Sequence, residues 1–170
     1  FTILQTISSQ LPISNLGLTF DAPVYLSEKQ GVYVGQWVGE SMNGYGKLYF
    51  DNGGYFEGQF VNGIANTPNG CFIYPDGSYY IGAVSNNFAN GQGIYTYKNR
   101  TLVYRGNFVN DQPEGRGSEF YADGSRYEGD FRFGRKEGRG VFSWNDGTVY
   151  EGQFEGGFMQ GYGVHKLSNG

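Results

Sequence analysis

The chain has 170 residues, 30 of them glycine and 18% aromatic, and a formal net charge of −4, which fits one domain and argues against both a collagen-like and a disordered chain. Its acidic balance, with a pI near 4.9, argues against nucleic acid as a partner. One cysteine, Cys71, leaves no internal disulfide and fits a reducing compartment, and no apolar run reaches the roughly 20 residues of a membrane-spanning helix.

Residues 1–30 lack the pattern of the rest and form a lead-in or cap. Ile3, Leu4, Ile7 and Leu11 have the spacing of one helical stripe, while the β-branched residues and Pro12 favour something short or extended. No charged segment precedes them, so no secretory signal is expected. Leu18, Phe20, Val24 and Tyr25 gather around Pro23. This stretch reads as a strand over the open edge of the segment from residue 31 onward, or as a tail or docking segment. The chain starts at Phe1 without a Met and stops at Gly170 in mid-repeat, so it is expected to be a piece of a longer protein.

From residue 31 to 170 one motif recurs. A Tyr-x-Gly-like start is marked by Gly35, Gly58, Gly82, Gly106, Gly129 and Gly152, at spacings of 23, 24, 24, 23 and 23. A second glycine follows at Gly46, Gly70, Gly93, Gly117, Gly140 and Gly163, and a turn glycine at Gly53, Gly77, Gly124, Gly147 and Gly170. The repeats lie near 33–55, 56–79, 80–103, 104–126, 127–149 and 150–170. Fixed periodicity of this kind signals a repeat architecture. Each repeat holds two short extended segments; Asp51-Asn52-Gly53, Asp76-Gly77, Asp123-Gly124 and Asp146-Gly147 supply the positive φ of tight return turns. No window has helical periodicity. The expected fold is all-β: an elongated, single-layer antiparallel sheet of repeated hairpins. Irregular hairpins are expected where Pro68 replaces the first glycine of the Gly-x-Gly pair and where Arg100 replaces the turn glycine.

Strand alternation puts glycine and aromatic residues on one face in every repeat. The glycines let rings lie over the backbone, in place of a second layer. The other face carries Gln36, Glu57, Arg105, Glu128, Asp130 and Glu151, with apolar spots at Ile73, Ile94 and Val141.

These residues resemble the MORN repeat, most clearly in YEGDFRFGRKEGRGVFSWNDG (127–147) and YVGQWVGESMNGYGKLYFDNG (33–53). The resemblance runs from Tyr33 to Gly170. It implies a twisted β-sheet scaffold; members occur in ciliary axonemes, radial spoke heads among them, at membrane junctions, in parasite cytoskeletons, and fused to lipid kinases or a SET-type methyltransferase.

No residue set points to catalysis. Gly134 to Gly140 is glycine-rich and basic but lacks the Gly-Lys-Ser/Thr ending of a phosphate loop, and reads as a hairpin loop. The sole histidine, His165, has no ligand or nucleophile at a working spacing, so no metal, cofactor or small-molecule substrate is expected. Asn99-Arg100-Thr101 fits a glycosylation acceptor without any sign of secretion. Nine basic residues fall between Lys98 and Arg139, interleaved with acids, which weakens a lipid-binding reading. The chain reads as a non-catalytic scaffold that binds a partner helix or extended segment along its aromatic face, as a subunit of a cytoskeletal or ciliary assembly in the cytoplasm. The anchors expected are Trp37, Phe60, Tyr74, Tyr97, Phe108, Tyr121, Phe131, Trp144 and Phe154. The alternatives are a membrane-proximal tether for phosphoinositide headgroups and the targeting module of a larger enzyme.

Overall fold

The computed structural model describes residues 17, 19–20 and 22–169, and the stripe from Ile3 to Leu11 lies outside them. The described chain is one open sheet of fifteen strands with no α-helix. Two short strands come first, β1 (Thr19–Phe20) and β2 (Val24–Leu26). The first three repeats give β3 (Gly31–Val38) and β4 (Ser41–Phe50); β5 (Tyr55–Val61), β6 (Ile64–Ala65) and β7 (Thr67–Ile73); β8 (Tyr79–Ser85) and β9 (Phe88–Thr96). The last three give β10 (Leu102–Val109) and β11 (Gln112–Tyr121); β12 (Arg126–Arg132) and β13 (Arg135–Ser143); β14 (Val149–Glu155) and β15 (Phe158–Lys166). Every pairing is antiparallel. β1 and β2 both pair with the outer side of β3, Thr19 opposite Trp37 and Tyr25 opposite Val32.

A line of glycines crosses the sheet. The marker glycine faces the second glycine of its own repeat, as in Gly129 with Gly140, and the second glycine faces the marker of the next, as in Gly140 with Gly152. Over each such pair lies the ring that starts the repeat: Tyr33, Phe56, Tyr80, Tyr104, Tyr127 or Tyr150. A methyl group at either glycine would overlap that ring, which is why neither position carries a side chain.

Beyond the marker glycine the register slips in five of the hairpins. In four of them the bulge leaves one first-strand residue, Gln36, Ala83, Asn107 or Gln153, without a partner in its hairpin; in the fifth repeat the same position, Asp130, pairs with Glu137 across the slip. The carbonyl at this position is met by the repeat's own tyrosine in all five: the hydroxyls of Tyr33, Tyr80, Tyr104, Tyr127 and Tyr150 donate to the carbonyl three residues on, at 2.7–3.0 Å. The returning strand passes the bulge on a left-handed glycine: Gly44, Gly91, Gly115, Gly138 or Gly161, with φ between +68° and +99°. In the second repeat that place belongs to Pro68, whose ring locks φ near −65°. The return strand there is split into β6 and β7, with a slip between Thr67 and Gly70. In the third repeat the return turn becomes a 3-10 turn at Lys98–Arg100, with Asn99 and Arg100 at φ +59° and +55°. Both departures in sequence are therefore departures in structure.

Candidate functional site

The glycine–aromatic face carries two rows of rings. The first row is a herringbone core. Trp37, Phe60, Phe108, Phe131 and Phe154 stand edge-on to the repeat tyrosines: Tyr33 to Trp37 at 5.1 Å and 89°, Tyr104 to Phe131 at 4.8 Å and 82°, Tyr127 to Phe154 at 4.8 Å and 71°. Each of these tyrosines takes one such ring from its own repeat and one from the next, a geometry that aromatic quadrupoles favour. Val84 holds the equivalent place in the third repeat and is also buried.

The second row lies toward the return turns, on the second strand of each repeat. It contains Phe50, Phe72, Tyr74, Tyr95 and Tyr97, then Tyr121, Phe142 and Trp144. Its rings touch in sequence: Phe72 to Tyr74 at 6.2 Å, Tyr74 to Tyr95 at 5.7 Å, Tyr95 to Tyr97 at 4.7 Å, and, further on, Phe142 to Trp144 at 4.8 Å. His165 stacks on Trp144 at 5.6 Å and 21°. These rings are half-buried, and Tyr97 is 42% exposed.

The nine rings expected to anchor a partner therefore divide. Trp37, Phe60, Phe108, Phe131 and Phe154 are at most 6% exposed: the four phenylalanines are each wedged between a ring of their own repeat and one of the preceding repeat, and Trp37 stands against Tyr33 with β1 pairing alongside. They hold the sheet and offer a partner no free surface. Tyr74, Tyr97, Tyr121 and Trp144 belong to the second row and keep part of their rings open.

The second row borders a hollow of about 260 Å³ lined by Phe50, Phe72, Tyr74, Pro75, Asn87 and Asp111 among others. Asn87 and Asp111 reach it from the opposite margin of the sheet. They occupy a left-handed loop position, φ +70° and +66°, where other repeats have Gly63, Gly134 and Gly157. In all five loops this residue's N–H donates to a carbonyl of the preceding repeat, at 2.9–3.1 Å. The side chains add a second tie: Asn87 Oδ1 accepts from the Ala65 N–H at 2.8 Å, and Asp111 Oδ1 from the Ala89 N–H at 2.6 Å. Burial, then the Asp111 charge, raises the Tyr74 phenol well above its ordinary range.

Residues 33–55, 56–66, 69–79, 80–101, 104–126, 127–149 and 150–170 match the family model of the MORN repeat. The chain belongs to the MORN-repeat family. The second MORN repeat is matched in two pieces, and the gap falls on Thr67 and Pro68, at the start of β7 just past the break in the return strand. Over 46 residues the chain is 39% identical to Protein TIC 100 of Arabidopsis thaliana, a stretch that is 27% of this chain and 5% of that much longer protein. The fold is similar to the TCP domain of SAS-4 (dCPAP) of Drosophila melanogaster, solved in complex with a proline-rich motif of Ana2 (dSTIL). The TM-score is 0.52 at 10% identity, over 89% of this chain and 81% of that one. The TCP10 domain of Danio rerio CPAP, solved with a peptide of STIL, has a TM-score of 0.47 at 14% identity, over 73% of this chain and 56% of that one. At 10% identity the likeness to the Drosophila domain is one of fold alone.

Two residues on the ring face depart from their counterparts in the other MORN repeats. Where other repeats have Leu48, Phe72, Tyr95 and Phe142, the fourth has Glu119; where others have Met42, Ala65 and Ala89, the fifth has Lys136. The two meet on the ring face as a nearly buried ion pair, Nζ to Oε2 2.6 Å, and the Tyr121 hydroxyl donates to the same carboxylate. The pair separates the run ending at Tyr97 from the run starting at Tyr121. A side-by-side alignment of the repeats would have flagged both residues, and Asn87 and Asp111 with them. On the opposite face Arg116 pairs with Asp130 at 3.9 Å and Arg126 with Glu128 at 3.7 Å. With Lys136 inside the ring face, the basic stretch does not form a surface of one sign.

Proposed function

We propose that this chain is a non-catalytic scaffold whose glycine–aromatic face holds a segment of another protein, within a cytoskeletal or ciliary assembly. The observation that carries the proposal is the second ring row. It runs across successive repeats, stays half-open, and has no second layer over it among the described residues, whereas the first row is closed. An exposed run of aromatic surface is the usual mark of an interaction site. Two things support the reading. MORN arrays serve as scaffolds in the family, and the Drosophila TCP domain, a sheet of similar fold, was solved holding a motif of another protein. The cellular setting rests on the family's usual company.

The test is affinity capture from cell extract with four forms of the chain whose folding has been checked by melting. Tyr97→Ala and Trp144→Ala alter the second row; Glu128→Ala and Glu151→Ala alter the opposite face. The row variants are expected to lose the proteins that the wild-type chain retains, and the opposite-face variants to keep them. The reverse pattern would place the partner on the wrong side of the sheet for this proposal.

A further inference from the structure

Building on the reading that the second row holds a partner segment, we infer that the segment is a basic, proline-rich stretch in the polyproline II conformation, lying along the row at one turn per repeat.

The first argument is dimensional. A repeat contributes two strands at about 4.8 Å each, so equivalent rings recur about every 9.6 Å across the sheet. A polyproline II helix has three residues per turn at 3.1 Å rise, or about 9.3 Å. Every third residue then meets the same ring of successive repeats, with a slip of a few tenths of an ångström. An α-helix returns to the same side at every turn, about 5.4 Å, so two turns, about 10.8 Å, overshoot the spacing by about 1 Å per repeat. A β-strand turns alternate side chains away and presents a period of about 6.6 Å.

The second argument is donor and acceptor balance. A proline-rich segment has open carbonyls and few N–H groups. The repeat tyrosines commit their hydroxyls to the bulge carbonyls, and Tyr95 donates to Ser78. The hydroxyls of Tyr74 and Tyr97 and the amide nitrogen of Asn87 have no hydrogen-bond partner among the described residues. The open part of the row thus presents donors beside rings, the combination on which proline-rich ligands dock.

The third argument is charge. Asp111 stands in the hollow, and Asp51 and Asp76 stand on the turn margin beside Phe50 and Tyr74. None of the three has a cationic side chain within 4 Å among the described residues, while five other carboxylates do. Asp111 is kept at a left-handed position where glycine would be easier. The occupant that complements this acidic margin carries lysine or arginine between its prolines.

The experiment uses the 170-residue chain and fluorescence anisotropy. The probes are labelled peptides of about five triplets: Pro-Pro-Lys, a Gly-Ser-Lys control of the same charge, and an amphipathic helical peptide with the same number of lysines. The proline probe is expected to bind at least about tenfold more tightly than the other two. Tyr97→Ala and Asp111→Asn are each expected to weaken it by about tenfold, with the fold intact, because Asn at 111 can still accept from the Ala89 N–H. Equal binding of the flexible control, or no binding of the proline probe, overturns the inference. Preferred binding of the helical probe that Tyr97→Ala abolishes overturns the inference but leaves the binding face standing. Binding of any probe that is indifferent to Tyr97→Ala overturns both.

Discussion

At the scale of the residue, the unit of this fold is a ring over two glycines. Tyr127 lies over Gly129 and Gly140 and donates to the Asp130 carbonyl at 3.0 Å. The two parts of that contact differ in weight. Gly140→Ala would drive a methyl group into the ring, which is fully buried and packed edge-on by Phe131 and Phe154, so it cannot yield cheaply. Overpacking of this kind costs about 1–3 kcal/mol. Tyr127→Phe keeps the ring and gives up one hydrogen bond, about 1 kcal/mol. The second repeat already has this arrangement, since Phe56 lies over Gly58 and Gly70 with no hydroxyl. Chemical denaturation should therefore rank Gly140→Ala as the more damaging change. The opposite ranking would mean that the hydroxyl, not the ring contact, holds the bulge.

At the scale of the element, the hairpin is set by which residues accept a left-handed backbone. The regular return turns place glycine at φ +87° to +94°, and the preceding aspartate or asparagine caps the turn through its side-chain oxygen, as Asp146 does for the Thr148 N–H at 2.8 Å. The third repeat has neither device and forces Arg100 to φ +55°. A left-handed non-glycine residue costs about 1–2 kcal/mol. Gly147→Arg should thus destabilise by about that amount, which in a chain of this size lowers the melting temperature by about 2–8 °C. Arg100→Gly should raise it, by less, because glycine gives back about 0.5–1 kcal/mol in unfolded-chain entropy. Thermal melts of the two variants give the comparison; a fall for Arg100→Gly would show that the guanidinium has a stabilising contact outweighing the strain. The margin opposite the turns is tied across repeats. Side chains at one repeat position, Asn43, Asn90, Glu114 and Glu137, accept from loop N–H groups of the next repeat at 3.0–3.1 Å. Each repeat thus holds its neighbour at the loop margin as well as through the strand ladder.

At the scale of the whole molecule, one sheet does the work of two layers because its core is a line of phenols and phenyls. That makes stability sensitive to alkali. Burial first, with help from Asp111, pushes the Tyr80 phenol up to about 12; burial first, then Glu119 and Glu114, does the same for Tyr104. In the unfolded chain a phenol titrates near 10. A raised folded value means that the neutral phenol is the form the fold holds, so its contribution is complete below about pH 10 and is lost as pH climbs toward 12. Melting temperature should be level from neutral pH to about 10 and then fall, with tyrosinate absorbance rising as the fold is lost. Unchanged stability up to pH 12 would show that the phenols ionise in place.

The repeat, the all-β sheet and its glycine–aromatic face were legible in the sequence. They rest on local rules: glycine at fixed spacing, Asp-Gly and Asn-Gly at the turns, and the alternation of a strand. Pro68 and Arg100 announced their irregularities for the same reason, since proline and a left-handed arginine violate a backbone requirement that is local. The division of the rings was not legible. Trp37 and Trp144 look alike as residues of an alternating strand. Only the packing of the folded sheet decides that Trp37 is enclosed, against Tyr33 and beside β1, and that Trp144 keeps an open side. The Glu119–Lys136 pair and the entry of Asn87 and Asp111 into the hollow are of the same kind. In sequence they are departures in different repeats. In the folded sheet they become neighbours, because burial and charge pairing depend on what the adjoining hairpin places beside a side chain.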